Sequence, residues 1–167
     1  DLMQPARARA NVLINTTTLS PNDLRSQINQ YFVPQKVKKL AISVQSFSYK
    51  RGVPRGVDMM FDCRFLRNPY WDKGLSNQDG LSVAVQDYVA ADKNFLPFRN
   101  QILTLAELVI PAHQAEGRSY LSIGFGCTGG KHRSVTMAET LCEDLQLSGW
   151  HVTIRHRELV TQRDVHG

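Results

Sequence analysis

Apolar residues along this chain follow two different periods, and the changes of period mark out its elements. Residues 40–47 (LAISVQSF) alternate between apolar and polar and are rich in β-formers, which predicts a strand. Residues 59–66 (MMFDCRFL) predict a second strand, with Asp62 and Arg64 on one face and Cys63 and Phe65 on the other. A third apolar run, Tyr120, Leu121, Ile123 and Phe125, ends in glycine, and Trp150, Val152 and Ile154 alternate with His151, Thr153 and Arg155 as a last strand. A short strand-like run, NVLIN, stands at residues 11–15. Between these stretches the period lengthens. Ser20, Pro21 and Asp23 supply an N-cap, an N1 proline and an acidic N3 for a helix running to about Phe32. Val85, Tyr88 and Val89 predict a further helix. Ile102, Leu105, Ala106, Leu108 and Val109 predict a longer one, with Pro97 near its start and Pro111 limiting its end. Val135, Ala138, Leu141, Cys142 and Leu145 predict the last, with Ser134 as N-cap and Gly149 as its stop. Strands separated by helices predict an α/β fold: a layered, mixed sheet with flanking helices. In such sheets ligands bind at the carboxyl ends of strands, so the loops after Phe47, Leu66 and Phe125 become the ones to read for chemistry.

The loop after Phe125 is the richest. Cys127 to Arg133 (CTGGKHR) packs two glycines, a Thr, a Lys, a His and an Arg between a strand and a helix N-terminus. Backbone N–H groups at such a turn, together with the helix dipole, attract anions, and Lys131 and Arg133 add full positive charges. Thr128, Gly129, Gly130, Lys131, His132 and Arg133 are therefore the candidate phosphate-binding loop. The spacing is not that of a Walker A loop, because five residues separate Gly124 from Gly130 and His132 follows Lys131 where Ser or Thr is required. It does match C-x5-R-S, the loop of cysteine-dependent phosphatases, with Cys127 as nucleophile, Arg133 as phosphoryl clamp and Asp62 or Asp72 as general acid. A non-reacting cysteine beside an anion loop is the competing and preferred reading, and no catalytic residue is assigned.

Charge widens the picture. The formal net charge is +5, which favours anionic partners such as nucleic acid or phosphorylated metabolites. Lys50, Arg51, Lys131, Arg133, Arg155 and Arg157 fall at loops and a strand end that a sheet can gather into one basic surface. Tyr49, Tyr70 and Trp71 lie among the cations, where aromatic rings stack on unpaired bases or sugar faces. Arg64 alternates in register with Asp62, so an ion pair and a ligand contact both remain open for it. At 167 residues the chain is expected to form one core. Cys63, Cys127 and Cys142 show no metal-ligand spacing and no disulfide framework, and the histidines show no metal pattern. No run of transmembrane length and no signal-peptide pattern is present, which leads to the expectation of a cytoplasmic protein with no membrane contact. A start at Asp1 leads to the expectation that the chain is a piece of something longer.

Three blocks carry a resemblance: SFSYKRG at 46–52, DCRFLRNP at 62–69 and GCTGGKHRS at 126–134 resemble the signature blocks of the RapZ family, the bacterial RNase adapters also known as YvcJ-type nucleotide-binding proteins. The resemblance runs from Val12 to about Leu159. It implies a C-terminal domain similar in fold to a phosphofructokinase subdomain. It implies also that residues 1–18 are a linker or the end of a missing N-terminal kinase-like domain, and that residues 19–167 form the ligand- and RNA-binding domain. ATP or GTP would then belong to the missing half, leaving this domain without a cofactor. The resemblance further implies an amino-sugar phosphate (glucosamine-6-phosphate) or a UDP-amino sugar as ligand, small RNA and an endoribonuclease as partners, and self-association. Carried over by position, the ligand loop is Thr128, Gly129, Lys131 and Arg133, with Lys50, Arg64 and Tyr70 completing the site. Tyr70 stands where the RNA-adapter members have a His, and the C-terminus lacks their basic tail.

Overall fold

The computed structural model describes residues 14, 16–17, 19–32 and 40–159; most of the strand-like run at 11–15 and the tail after Leu159 lie outside the described residues. Helix α1 (Pro21–Phe32) opens on a reciprocal cap: Asp23 N–H donates to Ser20 Oγ at 3.2 Å, and Ser20 N–H returns to Asp23 Oδ2 at 3.0 Å. Strand β1 (Ala41–Ser48) runs into a single 3-10 turn, Tyr49–Arg51, and β2 (Met59–Asp62) follows. A second 3-10 turn, Pro69–Trp71, precedes α2 (Val83–Ala90) and α3 (Phe95–Ala115). Then come β3 (Tyr120–Cys127), α4 (Arg133–Leu147) and β4 (Val152–His156).

The α/β class follows the expected pattern, but the sheet is parallel in every pairing rather than mixed. Its order is β2-β3-β1-β4. None of these strands follows its predecessor through a hairpin turn, so each connection carries the chain back to the starting edge before the next strand begins. Three further expectations are corrected. Strand β2 ends at Asp62, not Leu66, because the Asp62 carboxylate accepts Arg64 N–H at 2.9 Å and closes a turn. Pro111 lies inside α3, which continues to Ala115. Its missing N–H falls on an exposed stretch where water can satisfy the freed carbonyl. Helix α4 starts at Arg133 with His132 in the cap position, while Ser134 is buried within the helix and its Oγ sits 3.1 Å from Cys127 Sγ. Gly149 does end α4: at φ +87° it lets Trp150 N–H reach back to Leu145 O at 2.9 Å.

One face of the sheet is apolar. Ile42 and Val44 of β1, Leu121, Ile123 and Phe125 of β3, and Val152 of β4 pack into a core with Val85, Val89, Ile102, Ala106, Ile110, Met137, Leu141 and Leu145. Helix α4 lies on β1, β3 and β4, and α2 and α3 pack against α4. Polar ties lock these layers. Arg99 Nε donates to the buried Asp144 at 2.7 Å, joining α3 to α4. His156 bridges Glu139 (2.6 Å) and Ser46 (2.9 Å), joining β4 to α4 and β1.

The opposite face is built on missing side chains. Phe47 crosses Gly124 and Gly126 of the neighbouring strand: a Cβ at Gly126 would stand 2.6 Å from Phe47 Cζ and 2.5 Å from Tyr49 Cε2. Phe47 and Tyr49 also meet edge to face, with centroids 5.0 Å apart. Gly126→Ala is therefore expected to destabilise the fold by about 1–3 kcal/mol through overpacking. Urea unfolding midpoints of the variant and parent check this, and equal midpoints would refute the packing account.

Candidate functional site

The loop after β3 is held against the end of β1 by complementary absences and bonds. Ser48 and Cys127 are paired at the last register position. Ser48 Oγ donates to Thr128 O at 2.7 Å, and Lys50 N–H reaches the same carbonyl at 3.4 Å. Gly130 sits at φ +67°, and a Cβ there would lie 2.4 Å from Glu158 Cγ and 2.7 Å from Ser48 N, so only glycine lets the loop lie this close. On its other side Lys131 O accepts Gly80 N–H at 2.8 Å. The loop then turns directly into α4. Among the described residues no acceptor takes the backbone N–H of Gly129, Gly130, Lys131 or His132.

Of these four residues Gly129, Lys131 and His132 line a cavity of about 530 Å³. Cys127, Thr128, Gly129, Lys131, His132 and Arg133 form one wall, and Lys50, Asn68, Tyr70, Trp71 and Ser76 form the other. Its place follows from the topology. From the adjacent strands β1 and β3 the chain leaves in opposite directions, β1 toward the β2 edge and β3 toward the β4 edge. The carboxyl ends of two such strands leave a crevice between them, and the cavity lies there.

Lys50 is exposed and Lys131 half-buried, and neither has a carboxylate partner among the described residues. Arg133 behaves differently from the phosphate fork expected of it. Only 5% exposed, it donates from Nη1 to the carbonyls of Arg64 at 2.5 Å and Leu66 at 3.1 Å, so it holds the turn that carries the far wall. Its Nε is buried without a partner among the described residues. His132 Nε2 lies 2.8 Å from Gln78 O, which makes Nε2 the protonated nitrogen. Burial lowers its pKa below 6.5, and the neighbouring Lys131 and Arg133 push the same way against the Gln78 hydrogen bond. Cys127 is buried against Ser134, and burial pushes the nearby Cys63 thiol well above its ordinary value.

Of the expected ligand residues, the structure brings together Lys50, Tyr70, Thr128, Gly129, Lys131, His132 and Arg133, with Gly130 directly behind the loop. Arg64 is not among the residues lining the cavity. Its guanidinium grips Asp62 in a two-point pair, at 2.7 and 2.9 Å to Oδ2, and lies 4.3 Å above the Tyr49 ring. That hydrogen bond from Arg64 lowers the Asp62 pKa, so Asp62 is an ion-pair partner rather than a general acid. The single basic surface divides as well. Arg51 (3.2 Å) and Arg157 (2.8 Å) both pair with Glu158, a carboxylate only 4% exposed that also accepts Ser48 N–H at 3.2 Å. Arg155 lies elsewhere, on the polar face of the sheet with Arg25 and Arg55. Trp71, read from the sequence as a stacking aromatic, does line the cavity, whereas sequence reasoning missed Asn68 and Ser76 there. The signal for the first was the Asn-Pro step, since the Asn68 side chain accepts Tyr70 N–H at 3.3 Å to cap its turn. Nothing local marked Glu158.

The model of a family described as the RapZ C-terminal domain matches residues 40–160. A nucleotide-binding protein of Dinoroseobacter shibae is 57% identical over 159 residues, covering 95% of this chain and 53% of the relative. Nucleotide-binding proteins of a Ruegeria species (52% over 163 residues; 98% and 54% covered) and of Ruegeria pomeroyi (49% over 159; 95% and 56%) are similar. The chain spans about half the length of the curated relatives it matches. Among the described residues, no helix is long and apolar enough to cross a membrane, and no group of three or more His, Cys, Asp or Glu could hold a metal ion.

The lowered His132 pKa has a defined consequence for stability. The unfolded chain takes up the proton more readily than the fold, so stability should fall as pH drops below 6.5 toward the lower folded value, and level off beneath it. Above the unfolded pKa the group is neutral in both states and contributes no slope. Urea midpoints across this range should show a steeper acid-side loss for the parent than for His132→Gln, which keeps an N–H donor for Gln78 O. Identical pH profiles would refute the assignment.

Proposed function

This chain belongs to the RapZ C-terminal domain family, and on that premise we propose that it is a regulatory domain binding a phosphate ester of an amino sugar or nucleotide sugar, without catalysing a reaction on it. The observation that carries the reading is the set of unclaimed N–H groups of Gly129, Gly130, Lys131 and His132 at the start of α4, flanked by Lys50 and Lys131. Donors without acceptors beside unpaired cations favour an anion. The phosphate sits against the loop, and Tyr70 and Trp71 (61% and 79% exposed) border the space left for the remainder of the ligand. The relatives are named nucleotide-binding, which accords with a phosphate-bearing ligand. In the longer protein, a kinase-like half carries the ATP or GTP, and self-association and an endoribonuclease partner belong to that whole assembly.

A cysteine-dependent phosphatase would need the Arg133 fork turned toward a phosphoryl group on Cys127. The fork's Nη1 instead donates to Arg64 O and Leu66 O, and the thiol lies against Ser134. RNA is the second partner proposed, contacted through its phosphates by Lys50 and Lys131, with Arg51 and Arg157 at the margin held by Glu158.

Because Arg133 supports the wall, the test of binding uses Lys131. Lys131→Ala is expected to weaken glucosamine-6-phosphate or a UDP-amino sugar by about 1.5–3 kcal/mol, the scale of hydrogen bonds to charged groups. Calorimetry showing parent affinity would overturn the site. No phosphate should be released from an aryl phosphate; turnover that disappears in Cys127→Ser would make the chain an enzyme.

For RNA, Lys50→Ala should weaken all single-stranded sequences alike and flatten the log-affinity against log-salt slope by about 0.7, one phosphate contact. Mobility shifts at several salt concentrations read this, and an unchanged slope would remove Lys50 from the interface.

A further inference from the structure

A parallel sheet is ordinarily covered by helices on both faces. Here α2, α3 and α4 belong to the apolar side, and on the other side the strands present Ser43, Gln45, Ser122, Thr153 and Arg155. Phe47 covers the end of that face over Gly124 and Gly126. Toward the amino ends of the strands it opens into a second cavity, of about 210 Å³.

Three arginines line this cavity, and each comes from a different element: Arg25 from α1, Arg55 from the β1–β2 loop and Arg155 from β4. None pairs with a carboxylate among the described residues; Arg25 lies over the Tyr120 ring, its Cζ 4.9 Å from the ring centroid. The nearby Asp58 directs its Oδ2 to Ser122 N–H at 2.8 Å. The floor is hydrogen-bonding and built. Ser122 is 1% exposed, and its Oγ accepts from Gln45 Nε2 at 3.2 Å, which leaves its own O–H free to donate. Asn22 Nδ2 donates to Gly56 O at 3.3 Å and ties α1 to the Arg55 loop. Three separate parts of the chain therefore each bring one planar cation to this cavity, over a floor from β1 and β3.

We propose that this second cavity is a binding site for a compact oligophosphate anion, of the pyrophosphate or triphosphate class. Guanidinium forks match phosphoryl oxygens two at a time, and three of them around one small concavity suit an ion carrying several charges in little volume. A polymer backbone would call for cations strung along a groove, whereas these converge. The site is separate from the cavity at the strand carboxyl ends. Arg155 pairs in register with Gln45, three residues before the end of β1, which places it about 10 Å back along the strand.

Calorimetric titration of the chain with sodium pyrophosphate and with tripolyphosphate tests this, using the parent, Arg55→Gln/Arg155→Gln and Lys131→Ala. Two classes of site are expected in the parent. The double variant should lose one of them by at least about tenfold, and Lys131→Ala should leave that class untouched. Arg155→Lys, which keeps the charge and loses the fork, should fall between parent and double variant; circular dichroism and urea midpoints establish that each variant is folded. A single class of site, abolished by Lys131→Ala and indifferent to the double variant, would overturn the proposal. So would a double variant that loses single-stranded RNA while the parent shows no second pyrophosphate site, since the face would then serve a polymer. Failure of the proposed sugar-phosphate site would appear instead as an unaffected Lys131→Ala titration with glucosamine-6-phosphate, so the two readings fail separately.

Discussion

Eight consecutive pairs between β1 and β3, from Ala41↔Tyr120 to Ser48↔Cys127, are the constraint on which the other features depend. Because side chains alternate between faces, slipping this register by one residue would turn Ile42 and Val44 out of the core and bring Ser43 and Gln45 into it. The same register sets the last residues of both strands side by side. The turn after β1 and the glycine loop after β3 then share one carbonyl, Thr128 O, as acceptor for Ser48 Oγ and Lys50 N–H. Gly124 and Gly126 are part of this constraint, since Phe47 can cross the neighbouring strand only where no Cβ stands in its path.

Two buried charges brace that edge from opposite sides. Arg133 lies behind the loop and holds the 63–66 turn by its carbonyls, which fixes the stretch leading to Asn68, Tyr70 and Trp71. Glu158 lies under Gly130 and gathers Ser48 N–H, Arg51 and Arg157. Taking an ion out of water is costly unless hydrogen bonds replace the solvent. Glu158 has Ser48, Arg51 and Arg157 for this, and Arg133 has two carbonyls at Nη1, while its Nε stays buried without a partner among the described residues. The cations at this edge therefore differ in what they meet. The buried Arg133 meets backbone carbonyls, whereas Lys50 and Lys131 line the cavity without a carboxylate partner among the described residues.

The sheet itself is amphipathic in a way unusual for parallel strands. One face is a continuous apolar layer under three helices, and the other changes along its length from an aromatic cover to a polar, arginine-lined hollow. A sheet of this kind separates two cation-lined cavities by position along the strands. The first uses the strand ends and a helix N-terminus, and the second uses side chains raised from the strand faces and from α1.

What the sequence determined by itself was whatever rests on neighbours in the chain. The period of apolar residues marked the helices and strands, the Ser20–Asp23 pair marked the start of α1, and Gly149 marked the end of α4. The glycine loop before α4 was legible as a candidate loop because its glycines, its helix start and Lys131 are consecutive, and the structure sets it on a cavity. The three signature blocks likewise pointed to the family, and the match over residues 40–160 is to that family. Tertiary structure decided where the long side chains went. Arg133 finds its acceptors at Arg64 and Leu66, 69 and 67 residues away, and Arg157 meets Ser48 O across 109. Arg155 was separated from Lys50 because strand alternation aims it at the sheet face rather than the loop edge. An arginine reaches several ångströms from its backbone and accepts any nearby carbonyl or carboxylate, so its role depends on which distant segments the fold delivers to it. Local pattern holds no record of that choice.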